Sequence, residues 1–198
     1  MGSVMLSLIR RTRHALKKYQ DDREGATAVE FAMLIVPFCM LLFAVLELGV
    51  IFFLSATLNH AVSEVSREIR TGEFQSNCKT SSNFKTAICS EMSSGGNCIS
   101  KLRVDVKTTS SGNFEPNMLP EIPSPPAPGD DLSAPPPVEP DDFDTTAARA
   151  PVIVRAQYYY KLALPSEFTR LANTRGNTRI IEAITAFRNE PFPSGCGT

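Results

Sequence analysis

Tryptophan is absent from the chain, and histidine occurs only at His14 and His60. Neither histidine lies near a Cys or carboxylate pattern with metal-ligand spacing, so no metal site is expected. Neither charge is in excess: 20 Lys and Arg against 21 Asp and Glu leave a net charge of −1. A basic nucleic-acid signature is therefore missing from the chain as a whole. There is no nucleophile elbow and no Ser/His/Asp set. Arg188 and Glu190 in "FRNEP" are accounted for by the end of an exposed strand. Neither enzymatic activity, nor a cofactor, nor a nucleic-acid partner is expected.

What is present is unevenly placed. Residues 1–20 carry five basic residues (Arg10, Arg11, Arg13, Lys17 and Lys18) and no acid, whereas residues 111–150 carry eight acids and one base. Between these regions, Phe31–Leu54 is a run of 24 residues with one charge, Glu47. As a helix rising ~1.5 Å per residue it is long enough to cross a hydrocarbon core of ~30 Å. Cytoplasmic flanks carry the Lys and Arg excess, so the N-terminus is expected in the cytoplasm and the remainder across the membrane. A cleaved secretory signal has a shorter apolar core, of about 7–15 residues, and a small-residue site after it. The sequence "FLSATL" puts Leu54 where that small residue belongs, and Phe38 before Cys39 argues against a lipoprotein signal.

The apolar run has no turn at its end. Leu58, Val62, Val65 and Ile69 recur at helical spacing, with Ser63, Glu64, Ser66, Arg67 and Arg70 between them. Thr71-Gly72 is the first plausible stop, and Arg67 and Arg70 suit the helix C-terminus. The spacing predicts one helix from about Ala26 to Arg70, kinked at Pro37.

Further on, "KLRVDVKTT" (101–109) alternates, with Leu102, Val104 and Val106 on one face and Arg103, Asp105 and Lys107 on the other, as in a half-buried strand. "VIVRAQYYYKLAL" (152–164) alternates likewise, and "PSEFTRLAN" reads as a short helix with Pro165 near its start. "TRIIEAITAFR" suits helix or strand. Residues 111–150 contain ten prolines and few large apolar side chains, so a disordered or polyproline-type spacer is expected there. Cys39 lies in the span. Cys78, Cys89, Cys98 and Cys196 form an even set beyond it, which suggests two disulfides in an oxidising compartment. Three connectivities are possible. The preferred one has a local bridge among the first three and a tie from Cys196 back to that group.

"GATAVEF" from Gly25, followed by an apolar helix, resembles a class of type IV prepilin cleavage site. Together with "ELG" at Glu47–Gly49 and "SREIRTGEFQ" at Ser66–Gln75, it is similar to the TadE-like minor pilins (pseudopilins) of the tight adherence, or Tad/Flp, pilus. "FKTAICSEM", "KLRVDVKT" and "ITAFRNEPF" resemble segments of the alphaproteobacterial type, so the resemblance covers most of the chain outside 111–150. It implies that a prepilin peptidase cuts between Gly25 and Ala26, and that Glu30, beside Phe31, pairs with the N-terminal amine of a neighbouring subunit. For Glu47 and Gly49 it implies an intramembrane contact with another pilin or assembly protein. Snorkelling of Glu47 towards the headgroups is the simpler alternative. The resemblance also favours a strand for residues 178–188.

The expected fold is α+β: a long N-terminal transmembrane helix continuing into a small antiparallel sheet, with a short helix and a Pro-rich disordered loop. Residues 1–25 are the basic leader, 26–72 the transmembrane and extended pilin-like helix, and 73–198 the exported disulfide-containing domain, which includes the 111–150 loop. The implied role is that of a minor pilin assembled with major and other minor pilins on an inner-membrane platform. It would be anchored by a single pass in the inner membrane, with its C-terminal domain periplasmic or carried into an extracellular pilus. The alternative is an anchored envelope protein that never enters a filament.

Overall fold

The computed structural model describes residues 23–92, 97–109, 111–115, 118 and 133–193, with side chains described from Thr27 onward. The chain divides into two units, one ending at Val45 and one beginning at Leu46.

Helix α1, Arg23–Thr71, is continuous through Pro37. In the first unit its large apolar side chains are exposed on every face, including Val29, Phe31, Leu34, Phe38, Leu41 and Phe43. Each such side chain is worth about 1.5–3 kcal/mol when removed from water. A helix that keeps this many apolar groups on all sides requires an apolar surrounding. Its length and composition fit a single-pass membrane anchor.

In the second unit one stripe of α1 turns inward. Ile51, Leu58, Ala61, Val62, Val65 and Ile69 are buried at helical spacing. Gly72 ends the helix in the left-handed region (φ 83), and a Cβ there would collide with the Phe192 ring. Two short helices follow, α2 at Glu73–Ser76 and α3 at Ser81–Glu91. At the start of α3, the Asn83 side chain accepts a hydrogen bond from the Thr80 backbone N–H at 2.9 Å. Phe74, Phe84 and Phe143 pack with ring centroids 5.5–5.9 Å apart, a spacing suited to edge and tilted aromatic contacts. A single turn, α4 (Cys98–Lys101), leads into the sheet.

The strands are β1 (Leu102–Thr108), β2 (Asp142–Phe143), β3 (Pro151–Lys161) and β4 (Thr178–Arg188), with α5 (Ser166–Thr169) between the last two. Their order is β2-β1-β3-β4. β3 pairs antiparallel with β1 and with β4, with Val104 opposite Ala156 and Ala156 opposite Ala183. Leu102, Val104, Val106, Val152, Val154 and Ala156 are fully buried in the core shared with the inward stripe of α1. The ambiguous segment 178–188 is a strand, and its alternation buries Ile181 and Ala183 while Glu182 and Ile184 stay exposed.

Several expectations need correction. The sheet is mixed, because β2 runs parallel to β1. β2 comes from the Pro-rich segment, and residues 133–150 are not a disordered spacer. Asp141 accepts a hydrogen bond from the Val104 N–H at 3.1 Å and pairs with Lys85 at 3.1 Å. The Asp144 N–H donates to the Val106 carbonyl at 2.9 Å. These contacts satisfy the outer edge of β1, which would otherwise present unpaired backbone groups. Residues 110, 116, 117 and 119–132 of the expected loop lie outside the described residues.

Arg103 and Asp105, placed by the alternation on a solvated face, are buried. Asp105 accepts from Arg103 Nε at 3.0 Å and from Arg155 Nη2 at 2.6 Å, and Arg103 pairs in turn with Glu139. Burial works against the charged form of Arg103, but Asp105 and Glu139 outweigh it and raise its pKa. Finally, β3 ends at Lys161 instead of extending to Leu164, because the next three residues turn to meet α1.

Candidate functional site

The sequence singles out two places on α1. Gly25 and Ala26 lie in its first turns, in the first unit. Glu30 and Phe31 follow on the same helix, and both are exposed. A carboxylate in an apolar helix is costly unless it finds a partner.

Glu47 differs. It belongs to the second unit and is 6% exposed. Its two carboxylate oxygens receive two consecutive backbone donors from the β3–β4 connection: the Ala163 N–H at 2.5 Å and the Leu164 N–H at 3.3 Å. Hydrogen bonds to an ionised acceptor are about twice as strong as neutral ones. Asn177 holds the connection in shape by donating to the Leu162 carbonyl at 3.1 Å and the Leu164 carbonyl at 2.9 Å, and the Leu162 N–H donates back to the Asn177 carbonyl at 2.9 Å. Tyr160 lies close by. Burial, and then the negative charge of Glu47, raise its phenol pKa.

The resemblance places the partner of Glu47 in another protein's helix. The structure supplies one within the chain. Glu47 is the first inward residue of the stripe that continues through Ile51 and Leu58. That signal is present in the sequence: steps of seven and four run back from Leu58 to Ile51 and Glu47. The acidic residue interrupts the apolar pattern, and apolar neighbours on every other face hide it. Gly49 is open, since a Cβ placed there meets nothing within 4 Å.

Cys89 and Cys98 form a disulfide between α3 and α4, a local bridge of the preferred kind. Cys78 is also disulfide-bonded. Cys196 lies outside the described residues, and Cys39 is free. Among the described residues, no group of three or more His, Cys, Asp or Glu side chains is placed to hold a metal ion.

Residues 25–67 match a protein-family model described as TadE-like protein. Over these residues the helix is similar to TadE-like proteins. The match contains Gly25, Ala26, Glu30, Phe31, Glu47 and Gly49, and it ends before α2 and the sheet. No curated protein and no solved structure matches the chain. The matched segment thus carries both Glu30 and Glu47.

Proposed function

We propose that the protein is a minor pilin, or pseudopilin, that takes part in assembly of a Tad-type pilus and so in surface adhesion. The observation that carries this reading is the TadE-like match over residues 25–67, which holds a Gly, four residues and then Glu-Phe at the head of a membrane-length helix. A prepilin peptidase cuts after Gly25 on the cytoplasmic face and frees the Ala26 amine. Glu30 then pairs with such an amine on an adjacent subunit, within the apolar environment of the bundle. Breaking a pair of this kind leaves one charge uncompensated. The sheet domain is exported, the inner-membrane assembly platform receives the helix, and the major and other minor pilins are its neighbours.

The test is the mature N-terminus. Mass spectrometry of protein extracted from membranes of the native host is expected to give Ala26, and Gly25→Leu is expected to retain the leader while inserting normally. An intact leader in the presence of the peptidase overturns this reading and favours an anchored envelope protein that never enters a filament. Glu30→Gln keeps shape but not charge. It is expected to be processed and inserted yet to lose pili, and normal piliation would refute the pairing role.

A further inference from the structure

The sheet closes most of its outer edges with side chains and turns. Just beyond the two ends of β3, the Leu162 N–H donates to the Asn177 carbonyl and the Ala150 carbonyl accepts from the Asn189 N–H, both at 2.9 Å. Counting in twos from Asn177 and Asn189, the odd-numbered residues of β4 bond to β3, and the even-numbered ones turn their backbone N–H and C=O groups outward. At the start of β4, the Thr178 carbonyl accepts from the Thr174 N–H at 3.3 Å. Asn173 closes Ile180, accepting from its N–H at 2.7 Å and donating to its carbonyl at 3.0 Å. Past the far end, the Glu190 N–H donates to the Arg70 carbonyl of α1 at 2.9 Å. On the opposite edge of the sheet, Asp141 and Asp144 accept from the Val104 and Thr108 N–H groups.

Between these closures the β4 edge is bare. Glu182, Ile184 and Ala186 are exposed, and their outward backbone groups have no partner among the described residues. Natural edges are blunted by Pro, Lys or a bulge. The stretch "EAITA" contains no Pro or Lys, and its register with β3 is unbroken. At its centre Ile184 is 50% exposed. Glu182 and Arg188 flank it on the same face of the strand. Glu182 lies 3.6 Å from Arg155 and Arg188 donates to the Gly112 carbonyl at 2.6 Å, yet both remain exposed.

We infer that Glu182–Arg188 receives an extended segment of another polypeptide, which adds a strand antiparallel to β4. The backbone groups of Glu182, Ile184 and Ala186 supply the ladder, and the side chains read the segment at every second position. That segment places an acid opposite Arg188, apolar side chains opposite Ala186 and Ile184, and a base opposite Glu182. The β4 strand of a second copy has this pattern but the wrong polarity. Glu47–Thr71 runs alongside β4, from the contact of Glu47 with Ala163 to that of Arg70 with Glu190. Antiparallel pairing of two β4 strands would set these helical stretches in opposite directions. Subunits that enter one assembly from one membrane share a direction, an exclusion that rests on the function proposed above. Parallel pairing in register would set Glu182 beside Glu182 and Arg188 beside Arg188, and like charges across a strand pair repel.

Amide hydrogen exchange of the full chain in detergent tests the edge. The probe is a synthetic seven-residue peptide with Glu, Val, Val and Lys, in that order, at alternate positions and Thr between them. In the free chain at low concentration, the Glu182, Ile184 and Ala186 amides should exchange fast while those of Ile181, Ala183 and Thr185 are protected. With the peptide at about ten times its Kd, the three fast amides should slow by about tenfold. The peptide N-methylated at both Val residues should give no protection, and the one with Glu and Lys exchanged should bind more weakly. Ile184→Lys should lose the peptide while Ile181 and Ala183 keep their protection. Slow exchange at the three amides in the free chain overturns the proposal, because the edge is then already covered. Exchange that the peptide leaves unaltered overturns it too, as does equal binding of the charge-exchanged peptide. Protection that grows with protein concentration in the absence of peptide assigns the edge to a second copy, and also refutes the proposal. Each of these outcomes is read separately from the Ala26 N-terminus, which decides the minor-pilin reading.

Discussion

Thr27–Leu46 and Glu47–Thr71 are parts of one helix, yet they bury opposite things. Thr27–Leu46 keeps nearly every large side chain exposed and has no preferred face. Glu47–Thr71 buries a stripe through Glu47, Ile51, Leu58, Val62, Val65 and Ile69 and leaves Asn59, Ser63, Glu64 and Arg67 outside. An apolar helix face is no signal in itself, because its meaning depends on the solvent. All-round apolarity suits lipid, and a single stripe suits a protein core beside water. The buried stripe begins at a carboxylate, while the open faces stay apolar through Phe53. The carboxylate lies where a backbone turn from the sheet domain can receive it, and its two acceptor oxygens satisfy N–H groups that the end of β3 leaves without strand partners.

The comparison is broken most severely by attacking the sheet domain alone. Asp105→Ala leaves the Arg155 and Arg103 guanidinium groups buried without their shared anion. Removing one member of such a set costs about 3–5 kcal/mol. Urea unfolding of the detergent-solubilised chain should show the sheet domain melting far earlier, while the helical circular dichroism of Thr27–Leu46 persists. A single cooperative loss of both would mean that the two regions are not independent.

Opening the Cys89–Cys98 bridge acts on the same domain with a smaller effect. The bridge closes a loop with a sequence separation of 9, and the chain-entropy model gives about 2–3 kcal/mol for a loop of that size. Paired replacement by Ser should lower the sheet domain's urea midpoint by a corresponding amount, with membrane insertion unchanged. Non-reducing peptide mapping should return the Cys89–Cys98 peptide and a second bridge from Cys78 to Cys196.

The smallest effect is set by pH. Burial works to lower the Lys107 pKa, but its hydrogen bond to Asp142 and the negative charge of Asp144 raise it above the ordinary lysine value of 10.5. Lys107 thus contributes stability that is fully present below about pH 10.5 and is lost as the pH climbs through the raised folded value. A partly exposed pair of this kind is worth about 1 kcal/mol or less. Lys107→Met should flatten that part of the alkaline unfolding profile, which the span does not share.

Much of this is legible in the residues alone. The long helix, its stop at Gly72, the alternation of 102–108 and the short helix after Pro165 follow local rules: apolar periodicity, a glycine at a positive φ, and a proline before a helical turn. The features that sequence reasoning misses depend on distant partners. Asp105 looks solvated until Arg155, 50 residues away, is opposite it. The segment around Glu139 and Asp142 reads as spacer because proline and acid deny it a core of its own, and it becomes ordered by pairing with the basic side chains of β1. Helix α3 leaves little periodic signal because its inward face is only Phe84 and Ile88. Glu47 reads as a membrane oddity because its donors come from a turn more than a hundred residues later in the chain.

The division of α1 at Glu47 is tested most directly by amide hydrogen exchange of the full chain in detergent, comparing the unaltered protein with Glu47→Ala. Losing hydrogen bonds to a charged acceptor costs about 1.5–3 kcal/mol, which corresponds to a roughly tenfold to hundredfold change in local opening. The Ala163 and Leu164 amides should exchange faster by that factor, while amides of Thr27–Val45 keep their protection. Unchanged exchange at Ala163 and Leu164 would contradict the account, because Glu47 would then not be what holds the β3–β4 connection to α1.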